Sequence, residues 1–246
     1  MKKILFVFFF SFVLLFSIHD ILLSQSKVTG TKKNVLLVYG GWKGHKPEEI
    51  KNLFLPWFKE QGFDVTVSSS LDIYADKAKM KTYDLVFQTW TMGKLTKEEE
   101  QGLTEAVKNG TGIAGCHGGL GDSFRENTNY LFMIGGQFVA HPGGKIIYTV
   151  NIVNHQDPIT KGLSDFYVTS EQYYMLVDPA LEVLATTTFS GEHAPCIKDV
   201  KMPVVWKKKF GKGKVFYSSI GHSISDFDIP EVMEIMKRGI LWAIRN

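Results

Sequence analysis

The sequence holds only two cysteines, Cys116 and Cys196, in 246 residues. A four-cysteine zinc site is therefore excluded, and a domain of this size has no need of the single disulfide the pair could form. Charge of either sign is also modest. The formal net charge is +3, and no lysine or arginine block is long enough to line a nucleic-acid groove, so that partner is set aside. The densest basic run, Lys207 to Lys209, lies beside an apolar stretch and reads as a solvated turn. Nucleotide signatures are missing too. Gly118, Gly119 and Gly121 match the spacing of neither a P-loop nor a dinucleotide fingerprint, so no nucleotide cofactor is expected. The local zinc motif H-E-x-x-H is absent, as are internal repeats and low-complexity tracts.

What remains is the composition of a packed protein, with 44% hydrophobic and 22% charged residues. The first segment stands apart. Lys2 and Lys3 precede an almost wholly apolar run, Ile4 to Ile18, which His19 and Asp20 end before it reaches the ~20 residues of a membrane span. This pattern predicts a signal peptide over residues 1–24, cut near Ser24, with a retained N-terminal anchor as the rival. A polar linker follows over 25–33. The expectation is an exported, periplasmic or secreted protein that has no membrane partner once the leader is removed.

From Asn34 onward, strands and helices alternate. Asn34 to Tyr39 is a continuous apolar run, as expected of a strand buried on both faces, Asp84 to Thr89 is another buried strand, and Thr111 to Cys116 is one more. Phe63 to Val67 is a further strand. Between them, Pro47 opens a helix whose apolar face is Ile50, Leu53, Phe54, Trp57 and Phe58. Thr96 and Glu99 form a capping box ahead of a helix that ends at Asn109 and Gly110. Leu120 to Met133 reads as one more helix. After Gly144 come strand-like stretches at 145–153, 167–171, 181–187, 203–208 and 214–219, and then a terminal helix over Pro230 to Ile244. The fold class is α/β: a mostly parallel central sheet with helices on both faces and an antiparallel extension in the C-terminal half, forming one domain over 34–246.

Ligands of such sheets bind beyond the carboxyl ends of the strands, and histidines fall there. His45 follows the first strand, His117 the fourth and His222 the last, while His141 lies in a glycine- and proline-flanked loop. Neutral imidazoles at such a rim could bind a divalent ion, act as acid and base, or hydrogen-bond a polyol. The segment Gly115-Cys116-His117-Gly118-Gly119 has the strand, tight turn and helix pattern of a nucleophile elbow. Its central residue is His117, which points Cys116 elsewhere and makes a cysteine hydrolase the weaker reading. Glu171, Gln172, Tyr173 and Tyr174 sit at a strand end and could supply a carboxylate, an amide and stacking faces. Glu192 and His193 lie in a loop that could cover a site. Asp226 and Asp228 could orient an imidazole or cap the last helix. Trp42 and Trp90 could line a pocket.

The segments Asn34–His45, Gly112–Gly119, Gly135–Pro142, Asp157–Leu163, Glu171–Tyr174 and Pro203–His222 together resemble the ThuA-like, trehalose-utilisation family. That resemblance implies a flavodoxin-like or class I glutamine amidotransferase-like fold and a role in disaccharide use through keto-sugars. It also implies a metal, zinc first, on His45, His117, His141 and His222. Glutaminase chemistry is not implied, because the elbow residue is not cysteine and Ile224 stands where that chemistry needs a glutamate after His222. The expected function is a hydrolase, lyase or isomerase acting on a small sugar or keto-sugar. In it His117, His222 and Glu171 are catalytic, and Trp42, His45, His141, Gly118 and Tyr173 are substrate contacts. A non-catalytic carbohydrate-binding protein is the alternative.

Overall fold

The structure, a computed structural model, describes Lys32–Asn246. The expected leader and the first part of the linker lie outside the described residues. The chain runs β1 (Asn34–Gly41), α1 (Pro47–Glu60), β2 (Asp64–Ser68), α2 (Lys77–Met80), β3 (Leu85–Thr91), α3 (Lys97–Lys108) and β4 (Gly112–Cys116). Two short helices follow, α4 (Gly118–Gly121) and α5 (Thr128–Ile134). Then come β5 (Gly136–Ala140), β6 (Lys145–Ile152), β7 (Phe166–Glu171), β8 (Tyr174–Val177), β9 (Glu182–Thr188), β10 (Lys201–Phe210), β11 (Gly213–Ser218) and α6 (Pro230–Ala243).

Nine strands form one sheet in the order β2-β1-β3-β4-β11-β10-β9-β6-β7. Its first half is parallel, from β2 through β11. Its second half is antiparallel. The fold is therefore mixed α/β, with the expected parallel core and antiparallel extension. The apolar runs explain the parallel half, because successive side chains point to opposite faces. Val35 and Leu37 pack with Ile50, Phe54 and Phe58 of α1 and with Ile235, Met236 and Ile240 of α6. Leu36 and Val38 face the other way, onto Leu103, Ala106 and Val107 of α3 and Tyr130 and Met133 beyond it. The polar residues that β3 does carry, Gln88, Thr89 and Thr91, are buried with the rest.

Local signals set the helix ends. Pro47 occupies the first turn of α1, with Glu48 and Glu49 beside it. The capping box of α3 is complete: Thr96 Oγ1 accepts from the Glu99 amide at 3.2 Å, and Glu99 accepts from the Thr96 amide at 2.8 Å.

Three expectations need correction. The single helix over Leu120 to Met133 is broken. Asn127 caps a separate α5 by accepting from the Tyr130 amide at 2.9 Å, and Phe124 between the two helices has a φ of 48°. The run Lys207 to Lys209 is not a solvated turn but lies within β10. Lys207 and Lys208 are buried there, Lys207 between Asp157 and Glu182 and Lys208 on Asp178. Finally, β5 and β8 pair with each other in a small second sheet, although neither had been read as a strand.

The Lys207–Asp157 pair joins β10 to the segment after β6, and both side chains are buried. Removing one member leaves a charge buried without its partner. Lys207→Met should therefore lower unfolding stability by about 3 kcal/mol, read from urea denaturation. The double variant with Asp157→Asn should recover part of the loss. An unchanged midpoint for Lys207→Met would contradict the pairing.

Candidate functional site

The elbow is built as the residue pattern demands. β4 is buried throughout and ends at Cys116. His117 then adopts φ 47° and ψ −140°, a conformation that side chains other than glycine rarely hold. Strain of this kind costs about 1–3 kcal/mol and persists only where the surroundings over-determine it. Here they do. The His117 amide donates to the Ser218 carbonyl at 2.7 Å, and the His117 carbonyl accepts from the Gly121 amide at 2.9 Å and the Tyr217 hydroxyl at 3.1 Å. Beneath the turn, the side-chain nitrogen of buried Gln88 shares its two hydrogens among Tyr130, Ser123 and the Gly119 carbonyl at 2.8–3.2 Å, and its oxygen accepts from Tyr74.

The strain aims the imidazole of His117 at the rim. Its Nδ1 lies 2.8 Å from the Ser219 carbonyl, which can only accept, so Nδ1 carries a proton. Its Nε2 faces inward, 2.7 Å from the Tyr173 hydroxyl and 3.1 Å from Glu171 Oε2. Glu171 ends β7, carried to the same rim by the antiparallel half of the sheet. Around its carboxylate stand three further rings. His222 Nδ1 is 3.2 Å from Oε2, His45 Nε2 is 3.9 Å from Oε2, and His141 Nε2 is 3.7 Å from Oε1. His45, His117, Glu171 and His222 each offer one ligand atom, and these atoms lie within 4.8 Å of one another. His141 stands outside this group of four, at the more exposed edge.

Supports hold each ring. Nδ1 of His45 pairs with the Thr91 hydroxyl at 3.0 Å. Gly118 is needed for closeness: a Cβ there would sit 2.2 Å from His45 Nδ1. Its place in the site is thus to admit the His45 ring. The His222 loop is fixed by Asp226, which accepts from the backbone amides of Gly221 and His222 at 3.2 and 3.0 Å. Asp226 therefore orients the loop and does not touch an imidazole nitrogen. Tyr173 stacks on His117 with ring centroids 4.1 Å apart, and Trp42 meets His45 edge-on at 4.7 Å on the exposed side.

The charges follow from burial. Burial, with His117 alongside, lowers the His45 pKa to about 3. Burial also lowers that of His117, against the opposing pull of Glu171 and Ser219. Burial works to raise the Glu171 pKa, but the rings of His117 and His222 outweigh it and hold the group well below the usual carboxylate range. His222 moves the other way, raised by the carboxylate beside it against its partial burial. Two imidazoles held neutral, a third made more basic, and an anionic carboxylate thus converge on one point. A neutral His117 with its proton on Nδ1 presents a lone pair at Nε2, facing a carboxylate oxygen that is also an acceptor. The Nδ1 of His222 is buried without any hydrogen-bond partner of good geometry. Donor atoms gathered in this way form a set that a cation could share.

The donor set fits a divalent metal ion. Three imidazole nitrogens and a carboxylate oxygen suit zinc, whose ligands lie at about 2.0–2.2 Å. That radius places tetrahedral ligand atoms roughly 3.3–3.6 Å apart, close to the separations around Glu171. The outward nitrogens of His117 and His45 are already held, by a carbonyl and a hydroxyl, as is usual for metal-ligating histidines. Thr91 and the Ser219 carbonyl were not identifiable beforehand as ring supports, because no local pattern marks either one.

The family model described as ThuA, trehalose utilisation, matches residues 34–243. Among solved structures, a putative ThuA-like protein from Bacteroides uniformis superposes with a TM-score of 0.73 at 18% identity, covering 87% of this chain and 93% of its own. A second, from Parabacteroides merdae, gives 0.69 at 18% identity, with 86% and 90% covered. A cytoplasmic protein from Salmonella typhimurium gives 0.62 at 12% identity, with 87% and 100% covered. At these identities the likeness is one of fold. No curated protein matches the chain in sequence.

Cys116, one residue before the elbow, is fully buried, and burial pushes its thiol up to about 12. Cys196 is exposed. The thiolate is the reactive form. A thiol-specific reagent at pH 8 should therefore label one cysteine per native chain and both only after denaturation. Rapid labelling of two in the native state would revive Cys116 as a nucleophile.

Proposed function

The chain belongs to the ThuA (trehalose utilisation) family, and from that premise we propose that it is an exported, metal-dependent enzyme acting on a sugar or keto-sugar. His45, His117, His222 and Glu171 would hold the ion. The observation that carries the reading is the convergence of the His45, His117 and His222 rings on an anionic Glu171, with one ligand atom of each within 4.8 Å of the others. By taking one ligand beyond these four, a divalent ion would polarise a ring carbonyl or activate a water molecule, as hydrolysis, elimination or isomerisation beside a ketone requires.

The chain's own groups do the rest. Ser219 holds the proton of His117 on Nδ1, which leaves the Nε2 lone pair for the ion, and the Tyr173 ring stacked on His117 keeps the imidazole from rotating. His222, the most exposed of the three ligand rings, stands at the open side, where substrate would enter. His141 and Trp42, both partly exposed at the edge, offer a polar nitrogen and an apolar ring to a sugar. Cys116 takes no part. Export is read from Lys2, Lys3 and the apolar run Ile4 to Ile18.

Three measurements test this. Calorimetric titration of the metal-free protein with zinc should give one site per chain. Glu171→Gln and His117→Ala should each weaken it by at least about 10–100-fold, the range typical even for residues that only support a ligand. Wild-type protein should turn over a 3-keto-disaccharide, and both variants should lose that activity. Zinc binding and sugar binding without any product would leave a carbohydrate-binding protein instead, and no zinc binding would defeat the metal reading. In a bacterial host, fractionation should recover the protein outside the cytoplasm with Gln25 at its N-terminus. A cytoplasmic chain that still begins at Met1 would contradict export.

A further inference from the structure

We propose that the opening between β6 and β9 is a second carbohydrate subsite, taking the distal ring of a neutral, unphosphorylated disaccharide whose first ring lies at the His–Glu cluster. This rests on the reading of that cluster as a sugar site and names its substrate class.

The opening comes from the way the sheet splits. β6 and β9 pair only through Asn151↔Thr186 and Ile152↔Ala185. Toward the rim, β6 stays paired with β7 through Lys145↔Glu171 but parts from β9. A cavity of about 600 Å³ fills the gap, within the roughly 300–1,000 Å³ of small-molecule sites. Buried Gln172 spans its inner wall, donating to the Thr187 hydroxyl at 2.7 Å and to the Thr188 carbonyl at 3.3 Å.

The lining has the chemistry of a polyol site. Thr149, Thr188, Asn151 and Gln172 offer neutral donors and acceptors, with Glu192 and His193 on the outer loop. Ile147, largely exposed, gives an apolar surface for the C–H face of a ring. The lining contains no lysine or arginine, and its only charge is the carboxylate of Glu192. A phosphorylated sugar would meet an anion and find no cation.

The cavity also adjoins the cluster. Gln172 lies between Glu171 and Tyr173, both members of the cluster. The His193 ring packs so closely on Gly143 that a Cβ there would approach it to 2.4 Å. Gly143 is two residues from His141, whose Nε2 is 3.7 Å from Glu171 Oε1. The loop carrying His141 thus reaches the cluster through His141 and the outer loop of the cavity through Gly143, and a ligand too large for the cluster alone would extend along it.

The test uses calorimetry on the full mature protein, zinc-loaded and zinc-free, with trehalose, methyl α-glucoside and trehalose 6-phosphate as probes. Trehalose should bind at least tenfold more tightly than either of the others. Thr188→Trp, which fills the cavity from an exposed position, should bring trehalose down to the level of methyl α-glucoside and leave the latter unchanged. Thr149→Trp, on the opposite wall, should do the same. Equal affinity for the one-ring and two-ring sugars, preference for the phosphorylated sugar, no binding of any of the three, or no effect of either tryptophan would overturn the proposal. Zinc titration separates the two readings. A chain that takes up zinc but shows no preference for the second ring loses only the subsite, whereas one that takes up no zinc loses the reading of the cluster as a metal site.

Discussion

An anionic carboxylate walled in by imidazoles is the constraint on which the rest of this protein depends. Glu171 is largely withdrawn from solvent, and a buried charge is tolerated only when it is paired and hydrogen-bonded. Its neighbours cannot all supply that pairing as protonated rings, because burial and mutual repulsion keep His45 and His117 neutral. One positive charge shared among several donors resolves the conflict. A single proton on His222 satisfies it in part, and a divalent ion satisfies every donor at once.

The fold assembles this site from two unlike halves. The parallel half presents the loops after β1, β4 and β11 at a common edge, and so brings His45, His117 and His222 together from distant parts of the chain. It also pays for the strain at His117 with a ring of backbone hydrogen bonds and the buried Gln88 network. The antiparallel half contributes Glu171 at the end of β7, Tyr173 just beyond it, and the gap beside β9. A wholly parallel sheet would offer the histidines but not the carboxylate at their centre.

Much of this was legible in the amino-acid order. The two-faced apolar runs marked β1, β3 and β4, Thr96 and Glu99 marked the start of α3, and the glycines around His117 marked the elbow. Each is a signal confined to a few neighbouring residues. The break between α4 and α5 was also local, written in the capping side chain of Asn127, but the apolar residues on both sides masked it. Other features had no local trace. Lys207 and Lys208 look solvated until Asp157, Glu182 and Asp178 are brought to them from elsewhere in the chain. The partnership of His117 with Ser219 spans 102 residues, and that of His45 with Thr91 spans 46. Glu171 stands out in the sequence as a catalytic carboxylate, but not as the centre of the site, because that place depends on the register of β7 against β6.

The central claim is that three imidazoles and one carboxylate close around a single ion. Zinc K-edge absorption spectroscopy of the loaded protein tests it most directly. The account predicts a first shell of nitrogen and oxygen only, at about 2.0–2.1 Å, with outer-shell scattering from three imidazoles that falls to two in His45→Ala. A sulfur shell, or a spectrum with no imidazole contribution, would contradict it.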